Sequence, residues 1–356
     1  MPREYVRVLY YTDPTAFQVF GGAEIQMIKT KEHLEKISSA VSVKLFNLFE
    51  DKLDDYDILH VFHMRSECLS ICRLAKKRGL KIVLSPIYWP QEENSSNFIA
   101  VLSWIRNLHH NFNEYNYFTP RTLHPYKDFL DLADVIVPTS KLEAYLLSKL
   151  FKIDSAKFLP VPVGVEKVFA DAKADLFVRK YGLKDFVLFV GRLEETKNVL
   201  SLLKALGNTE IQLVIVGHFN LWEGEYYQKC KELIKQNRNV HYLGFLPPFS
   251  EELLSAYAAA KVFVLPSWHE VTSLTALEAG LAGCNMVITR NSYSAEYLRN
   301  MALYVNPASV EDIRKKVLEA FEKPKTDELK RHILSNYTWE RTAKGTLEAY
   351  YRAFNT

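Results

Sequence analysis

Short apolar runs recur along the whole chain, separated by stretches whose apolar residues return every three or four positions. In the first half the runs are VRVLYY (6–11), VSVKLF (41–46), DILHVF (57–62), KIVLSP (81–86), DVIVPTS (134–140) and KFLPVPV (157–163). Helices are expected between them, notably over 23–37, 66–78 and 140–150. The second half repeats the scheme with FVLFVG (186–191), IQLVIVG (211–217), VHYLGF (240–245), KVFVLPS (261–267), NMVIT (285–289) and ALYV (302–305). Its helices are expected over 198–206, 223–237, 250–259, 274–283 and 309–323. Strand and helix alternate throughout, which is the pattern of a parallel-sheet α/β protein. The halves match in size and join near 163–185, so the expected fold is two doubly wound Rossmann-like domains facing across a cleft. YTWERTAKGTLEAYYRAF (337–354) reads as an amphipathic helix crossing back to the first domain. The expected boundaries are therefore 1–165, 166–336 and a C-terminal helix within 337–356.

One region breaks the rhythm. Residues 88–127 carry Tyr88, Trp89, Phe98, Trp104, Phe112, Tyr115, Tyr117, Phe118 and Tyr126, together with His109 and His110. Either these rings pack on the sheet as an elaborated crossover, or they form a surface for an acceptor or a membrane. Aromatic rings suit both sugar faces and bilayer interfaces. Trp104 and Tyr117 are the candidate acceptor residues here.

Composition narrows the function classes. The chain has 356 residues, enough for two cores, with 48% apolar and 24% charged residues and no low-complexity segment. The net charge of +3, from 45 basic against 42 acidic residues, implies no large basic surface for nucleic acid. No run of apolar residues is long enough to cross a membrane, and MPREYVRVLYYTD lacks the apolar core of a signal peptide. The expected location is the cytoplasm, with peripheral contact at the inner face of the membrane left open, as is the oligomeric state. Cys68 and Cys72 lie one helical turn apart, and Cys230 and Cys284 stand alone. Without a second pair or a nearby histidine they read as buried free thiols rather than metal ligands.

The stretch HEVTSLTALEAG (269–280) sets Glu270 and Glu278 eight positions apart. Carboxylates that act together on one glycosidic bond lie about 5–9.5 Å apart. Eight helical residues span about 12 Å and turn the second side chain about 80° from the first. The spacing suits a long ligand with a polar group at each end. In FVLFVGRLEETKN (186–198) a strand ends at Gly191, followed by Arg192 and then Lys197, cations placed to clamp a phosphate. FGGAE (20–24) follows the first strand, and Gly21 and Gly22 permit close backbone approach to an anion at a helix N-terminus. LDDYD (53–57) has the D-x-D spacing of some metal sites, but it precedes a strand, where turns are often acidic. No metal is expected.

Taken together these segments resemble the retaining glycosyltransferases of family 4, which have the two-domain GT-B fold. The resemblance covers essentially the whole chain in order. GGAE (21–24) is similar to that family's glycine loop, DILHVF (57–62) to its DIVHxH-type strand, and VGRLEETKN (190–198) to its GRLxxxKG segment. LGFLPPFSEELLSAYAAAKVFVLPSWHE (243–270) resembles the stretch leading into an E-x7-E motif completed by Glu270 and Glu278. LEAGLAGCNMVIT (277–289) is similar to LEAMAxGxPVV. The resemblance implies a nucleotide diphosphate sugar as donor, no metal or other cofactor, and a glycan or lipid-linked acceptor hydroxyl. By analogy Glu278 holds the ribose, and the amides of Thr272, Ser273 and Leu274 meet the diphosphate. Glu270 reaches the transferred sugar, and Arg192 and Lys197 neutralise the leaving group. The base lies near Phe245 and Leu246.

The chain also departs from that family. EVTSL stands where EGFGL is frequent, so Val271 and Ser273 replace glycines. LSPIYWP (84–90) lacks the histidine of a TxH-like element, and His63 is the candidate replacement, a structural or solvent-facing role being left open. VGVE (163–166) keeps only Gly164, Val165 and an acid of the NGVD-like turn. A nucleotide-sugar epimerase of the same fold, or a non-catalytic sugar-binding partner subunit, are the alternatives to a transferase.

Overall fold

The computed structural model describes residues 5–18, 21–90, 120–207, 209–219 and 224–355. They divide into two compact units. The first is Met1–Val161 with Thr346–Thr356, and the second is Pro162–Gly345. Trp104 and Tyr117, and most of the aromatic region, lie outside the described residues.

The first unit is built as β1 (Val6–Tyr11), α1 (Gly22–Ile37), β2 (Val41–Leu45), β3 (Ile58–Phe62), α2 (Leu69–Lys77), β4 (Lys81–Ser85), α3 (Pro120–Leu132), β5 (Val135–Ile136) and α4 (Lys141–Phe151). Its strands run parallel in the order β2-β1-β3-β4-β5. The central strand β3 is buried along its whole length, as a strand covered on both faces must be. Of the aromatics at the edges of the irregular region, Tyr88 and Tyr126 pack against Phe151 of α4, with centroids 5.8 and 6.3 Å away. The backbone after β4 is tied to the same helix. Glu143, itself fully buried, accepts the Tyr88 amide at 2.7 Å and both the amide and hydroxyl of Thr139 at 2.7 and 2.8 Å.

The second unit runs α5 (Asp175–Tyr181), β6 (Val187–Val190), α6 (Val199–Leu206), β7 (Leu213–Val216), α7 (Gly224–Gln236), β8 (Val240–Gly244), α8 (Glu251–Ala259), β9 (Val262–Leu265), α9 (Leu274–Leu281), β10 (Asn285–Thr289), α10 (Ser294–Leu298), β11 (Ala302–Val305), α11 (Val310–Glu322) and α12 (Glu328–Asn336). The sheet is again parallel, in the order β11-β10-β9-β6-β7-β8. The last helix, α13 (Trp339–Asn355), starts in the second unit and ends in the first.

Two expectations are corrected. KFLPVPV (157–163) is not a strand. Phe158 makes one bridge to Ile136, after which Pro160 and Pro162 supply no amide to extend a ladder. Leu159 and Val161 still donate to Ile136 O and Pro138 O, so the segment lies along the sheet without joining it. The join between the units also falls earlier than 165, and the C-terminal join later than 336. Val165 donates to Tyr337 O, and a Cβ on Gly164 would meet the Trp339 amide, so 162–165 and 337–345 pack together in the second unit. Helices α3, α5, α10 and α12 were not anticipated.

In the first unit the end of α13 is fastened by buried polar groups. The Tyr350 hydroxyl donates to Tyr10 Oη at 2.9 Å and lies 2.8 Å from His60 Nδ1. With that proton spent, His60 donates through Nδ1, and Nε2 accepts from Ser85 Oγ at 2.9 Å. Burial holds the imidazole neutral, pushing its pKa down to about 3.

In the second unit three glycines close the C-terminal ends of β6, β7 and β8. Gly191 donates to Val216 O, and Gly217 donates to Gly244 O. Gly217 has φ +144°, and a Cβ there would stand 1.8 Å from the Gly191 carbonyl oxygen. Only glycine allows this approach. Gly191 itself would set a Cβ against nothing closer than the Phe189 ring at 3.4 Å. Gly217→Ala should therefore lower the unfolding free energy by roughly 3 kcal/mol or more, and Gly191→Ala by less than about 1 kcal/mol. Equal losses in urea unfolding would remove the close approach as the reason.

Candidate active site

In an open parallel sheet, ligands bind beyond the carboxyl ends of strands where the strand order reverses. The second sheet reverses between β6 and β9. The segment after β6 carries Arg192 and Lys197, and the segment after β9 carries Glu270. Strand order alone thus sets these residues side by side, although 73 positions separate Lys197 from Glu270.

Asn198 fixes the segment after β6. It adopts a left-handed conformation (φ +56°) that asparagine tolerates better than most residues, and it starts α6. Its buried amide donates to Pro266 O at 3.0 Å and to Pro307 O at 2.9 Å. The Trp268 amide donates to Thr196 O at 2.9 Å. Across this seam Lys197 Nζ stands 2.6 Å from Glu270 Oε1, which also accepts the buried Ser267 hydroxyl at 2.7 Å. The backbone of Glu270 is held in turn, donating to Asn291 O at 2.9 Å. Arg192 makes a longer contact, 3.3 Å to Glu194 Oε1, whose oxygen also takes the Thr196 hydroxyl.

Helix α9 begins at the capping residue Ser273, whose hydroxyl accepts the Ala276 amide at 3.1 Å. The first intrahelical bond is Leu277 N–H to Ser273 O, so the Leu274 and Thr275 amides precede it at the positive end of the helix. The Ser273 amide already donates to Ser294 Oγ at 3.1 Å. Of the three amides expected at an anion, those of Thr272, Ser273 and Leu274, Ser273's thus already has a partner within the protein. Further along α9, Glu278 is nearly buried and accepts the Tyr257 hydroxyl through Oε2 at 2.7 Å. Burial pushes its pKa up to about 7, against the opposing pull of that hydrogen bond. At the end of β8, Gly244 turns with φ +73° and presents Phe245, which is exposed and edge-on to His218, with Leu246 next to it.

The first unit places its candidates at the corresponding reversal, between β1 and β3. His63 follows β3 with φ +69° and donates its amide to Ser85 O; burial pushes the imidazole pKa down to about 4. Nearby Asp13, after β1, is nearly buried and held ionised by the Thr15 hydroxyl and amide. Sequence reasoning passed over it. Gly21 caps α1, but its amide donates to Glu24 Oε2 at 2.8 Å, so a carboxylate already occupies that helix start, with Gly22 as first helical residue. In LDDYD, Asp57 takes the amide and guanidinium of Arg7, and Asp54 pairs with Arg78. No described helix is long and apolar enough to cross a membrane. All four cysteines are free and buried.

Residues 175–339 match the family model described as Glycosyl transferases group 1. O-antigen chain mannosyltransferase B of Escherichia coli is 24% identical over 239 residues, covering 62% of this chain and 61% of that protein. D-inositol 3-phosphate glycosyltransferase of Corynebacterium jeikeium is 26% identical over 181 residues, 46% of this chain and 43% of that one. The chain therefore spans less than two thirds of these relatives' length. Among solved structures, sucrose-phosphate synthase from Thermosynechococcus elongatus superposes with a TM-score of 0.76 at 16% identity, over 98% of this chain and 99% of that one. Anabaena Alr3699/HepE in complex with UDP does so with 0.70 at 14% identity, over 96% and 98%. The fold is that of the GT-B proteins. The matched residues lie wholly within the second unit, Pro162–Gly345.

Glu278 supplies a test of the site's electrostatics. A free glutamate titrates near 4.3 and this one near 7, so the unfolded chain releases a proton that the folded chain keeps. Its contribution to stability is full below about pH 4.3 and is lost as pH rises to about 7. Glu278→Gln should remove this part of the decline, while buried Glu143, raised in the same direction, leaves a residual slope. Parallel wild-type and variant melting curves across that window would contradict the assignment.

Proposed function

We propose that the protein is a retaining, metal-independent glycosyltransferase. It takes a sugar from a nucleoside diphosphate sugar and passes it to a hydroxyl of a glycan or lipid-linked acceptor. The observation that carries this reading is the meeting of Lys197 and Glu270 where the second sheet reverses. Beside them stand Arg192 and the start of α9, and Glu278 lies further along that helix. The relatives' names, with mannosyl and other glycosyl transfer, and the UDP held by a structural neighbour support the donor class.

Each group has a role on this reading. The Leu274 and Thr275 amides, with Arg192 and Lys197, meet the diphosphate and stabilise its charge as it leaves. Glu270 accepts hydroxyls of the transferred sugar, Glu278 accepts those of the ribose, and Phe245 and Leu246 flank the base. Glu270 already answers to a lysine and a serine, which suits a binding carboxylate better than a nucleophile. Retention then follows from front-face displacement, in which the leaving phosphate takes the acceptor proton. The acceptor side is assigned to the first unit, with His63, Trp104 and Tyr117.

Thermal shift with UDP, GDP and their sugar derivatives tests donor binding, since a ligand of the folded state raises the melting temperature by mass action. An altered sugar nucleotide as product, in place of free nucleotide plus glycoside, would mean an epimerase. Arg192→Ala and Lys197→Ala should each cut turnover at saturating donor by about 100- to 1,000-fold with the fold intact. Near-normal rates in both would dismiss the phosphate clamp. Activity should survive EDTA; complete loss restored by magnesium or manganese would show that a metal does part of this work.

A further inference from the structure

The two candidate carboxylates are held alike. Glu278 gives Oε2 to the Tyr257 hydroxyl at 2.7 Å, and Glu270 gives Oε1 to the Ser267 hydroxyl at 2.7 Å and to Lys197. Tyr257 and Ser267 are both 0% exposed, so neither can meet a ligand directly. The bonds given to these carboxylates among the described residues fall on Glu278 Oε2 and Glu270 Oε1, and each residue keeps 9% of its surface exposed. The terminal torsion of a glutamate is soft. A bond to one oxygen fixes the carboxylate plane and so the direction of the other oxygen.

The two hydroxyls are themselves fixed. The Tyr257 ring lies on α8 between Phe169, edge-on at 5.6 Å, and Phe263 at 6.2 Å. Burial raises its phenol far above the ordinary value, so it stays a donor across the working range. Ser267 sits between two pinned neighbours, Pro266 through the Asn198 amide and Trp268 through Thr196 O. We propose that Tyr257 and Ser267 are positioning residues, Tyr257 aiming Glu278 and Ser267 aiming Glu270, each leaving the opposite oxygen to a ligand hydroxyl. The assignment rests on the donor reading above.

Because the glutamates address different parts of the donor, the hydroxyls should separate in their effects. Calorimetric titration with UDP and GDP, then with the corresponding sugar nucleotides, makes the test on the full chain. Tyr257→Phe should weaken free nucleotide and sugar nucleotide alike, by about tenfold for the one that binds wild type. Ser267→Ala should leave free nucleotide within about twofold and weaken the sugar nucleotide by a similar factor of about ten. Neither should add to the loss already caused by Glu278→Ala or Glu270→Ala respectively, because a positioning residue acts only through its partner. A structural role would predict additive losses in the double variants. Additivity, or no loss in either single variant, overturns the proposal while leaving the donor reading intact. If wild type binds none of these nucleotides, the donor reading fails and the positioning roles fall with it. The serine arm stands independently should loss of the tyrosine hydroxyl unfold the chain.

Discussion

One buried amide group holds the second unit's site together. Asn198 donates to two carbonyls, Pro266 O and Pro307 O, from distant parts of the chain, and does so in a backbone conformation that also starts α6. Leaving either carbonyl unmet in the interior costs on the order of 1–3 kcal/mol, so the arrangement is enforced from both sides. The residue before it, Lys197, inherits its direction from that anchor, and the segment that follows Pro266 carries Ser267 and Glu270. The chemistry of the seam is therefore a by-product of satisfying backbone hydrogen bonds.

The charges at this seam are already partnered, to different degrees. Arg192 and Glu194 meet at 3.3 Å with the arginine side chain 38% exposed, an arrangement worth little in water. Lys197 and Glu270 meet at 2.6 Å with exposures of 22% and 10%, where screening is weaker. An incoming anion can recruit Arg192 at small cost. Recruiting Lys197 would mean sharing it with Glu270. The first unit uses the opposite strategy at α1, where Glu24 fills the helix start with the protein's own negative charge.

Much of this was legible in the sequence. Runs such as ILHVF and VLFV are buried throughout, and their composition alone marks them as interior parallel strands. KFLPVPV misled because its apolar pattern hides two missing amides, which matter only when a neighbouring strand asks for them. GRLEETKN and HEVTSLTALEAG were legible as segments that follow strands, and the strand order sets the two side by side. The sequence did not disclose that Lys197 pairs with Glu270, nor that Ser294 takes the Ser273 amide, because both depend on contacts between remote loops. Asn198, Ser267 and Tyr257 escaped for the same reason. Each is an ordinary residue in its own segment and acquires meaning only from what lies across the fold.

The helix α13 has a consequence for how the chain matures. The first unit's sheet is complete by Ile136, yet Tyr10 and His60 await a partner at Tyr350. During synthesis domains usually fold in the order they emerge. Here the second unit can finish its sheet while the first still carries a polar group at its centre without its native partner. The part made first can therefore close only once Tyr350 has been made and has emerged.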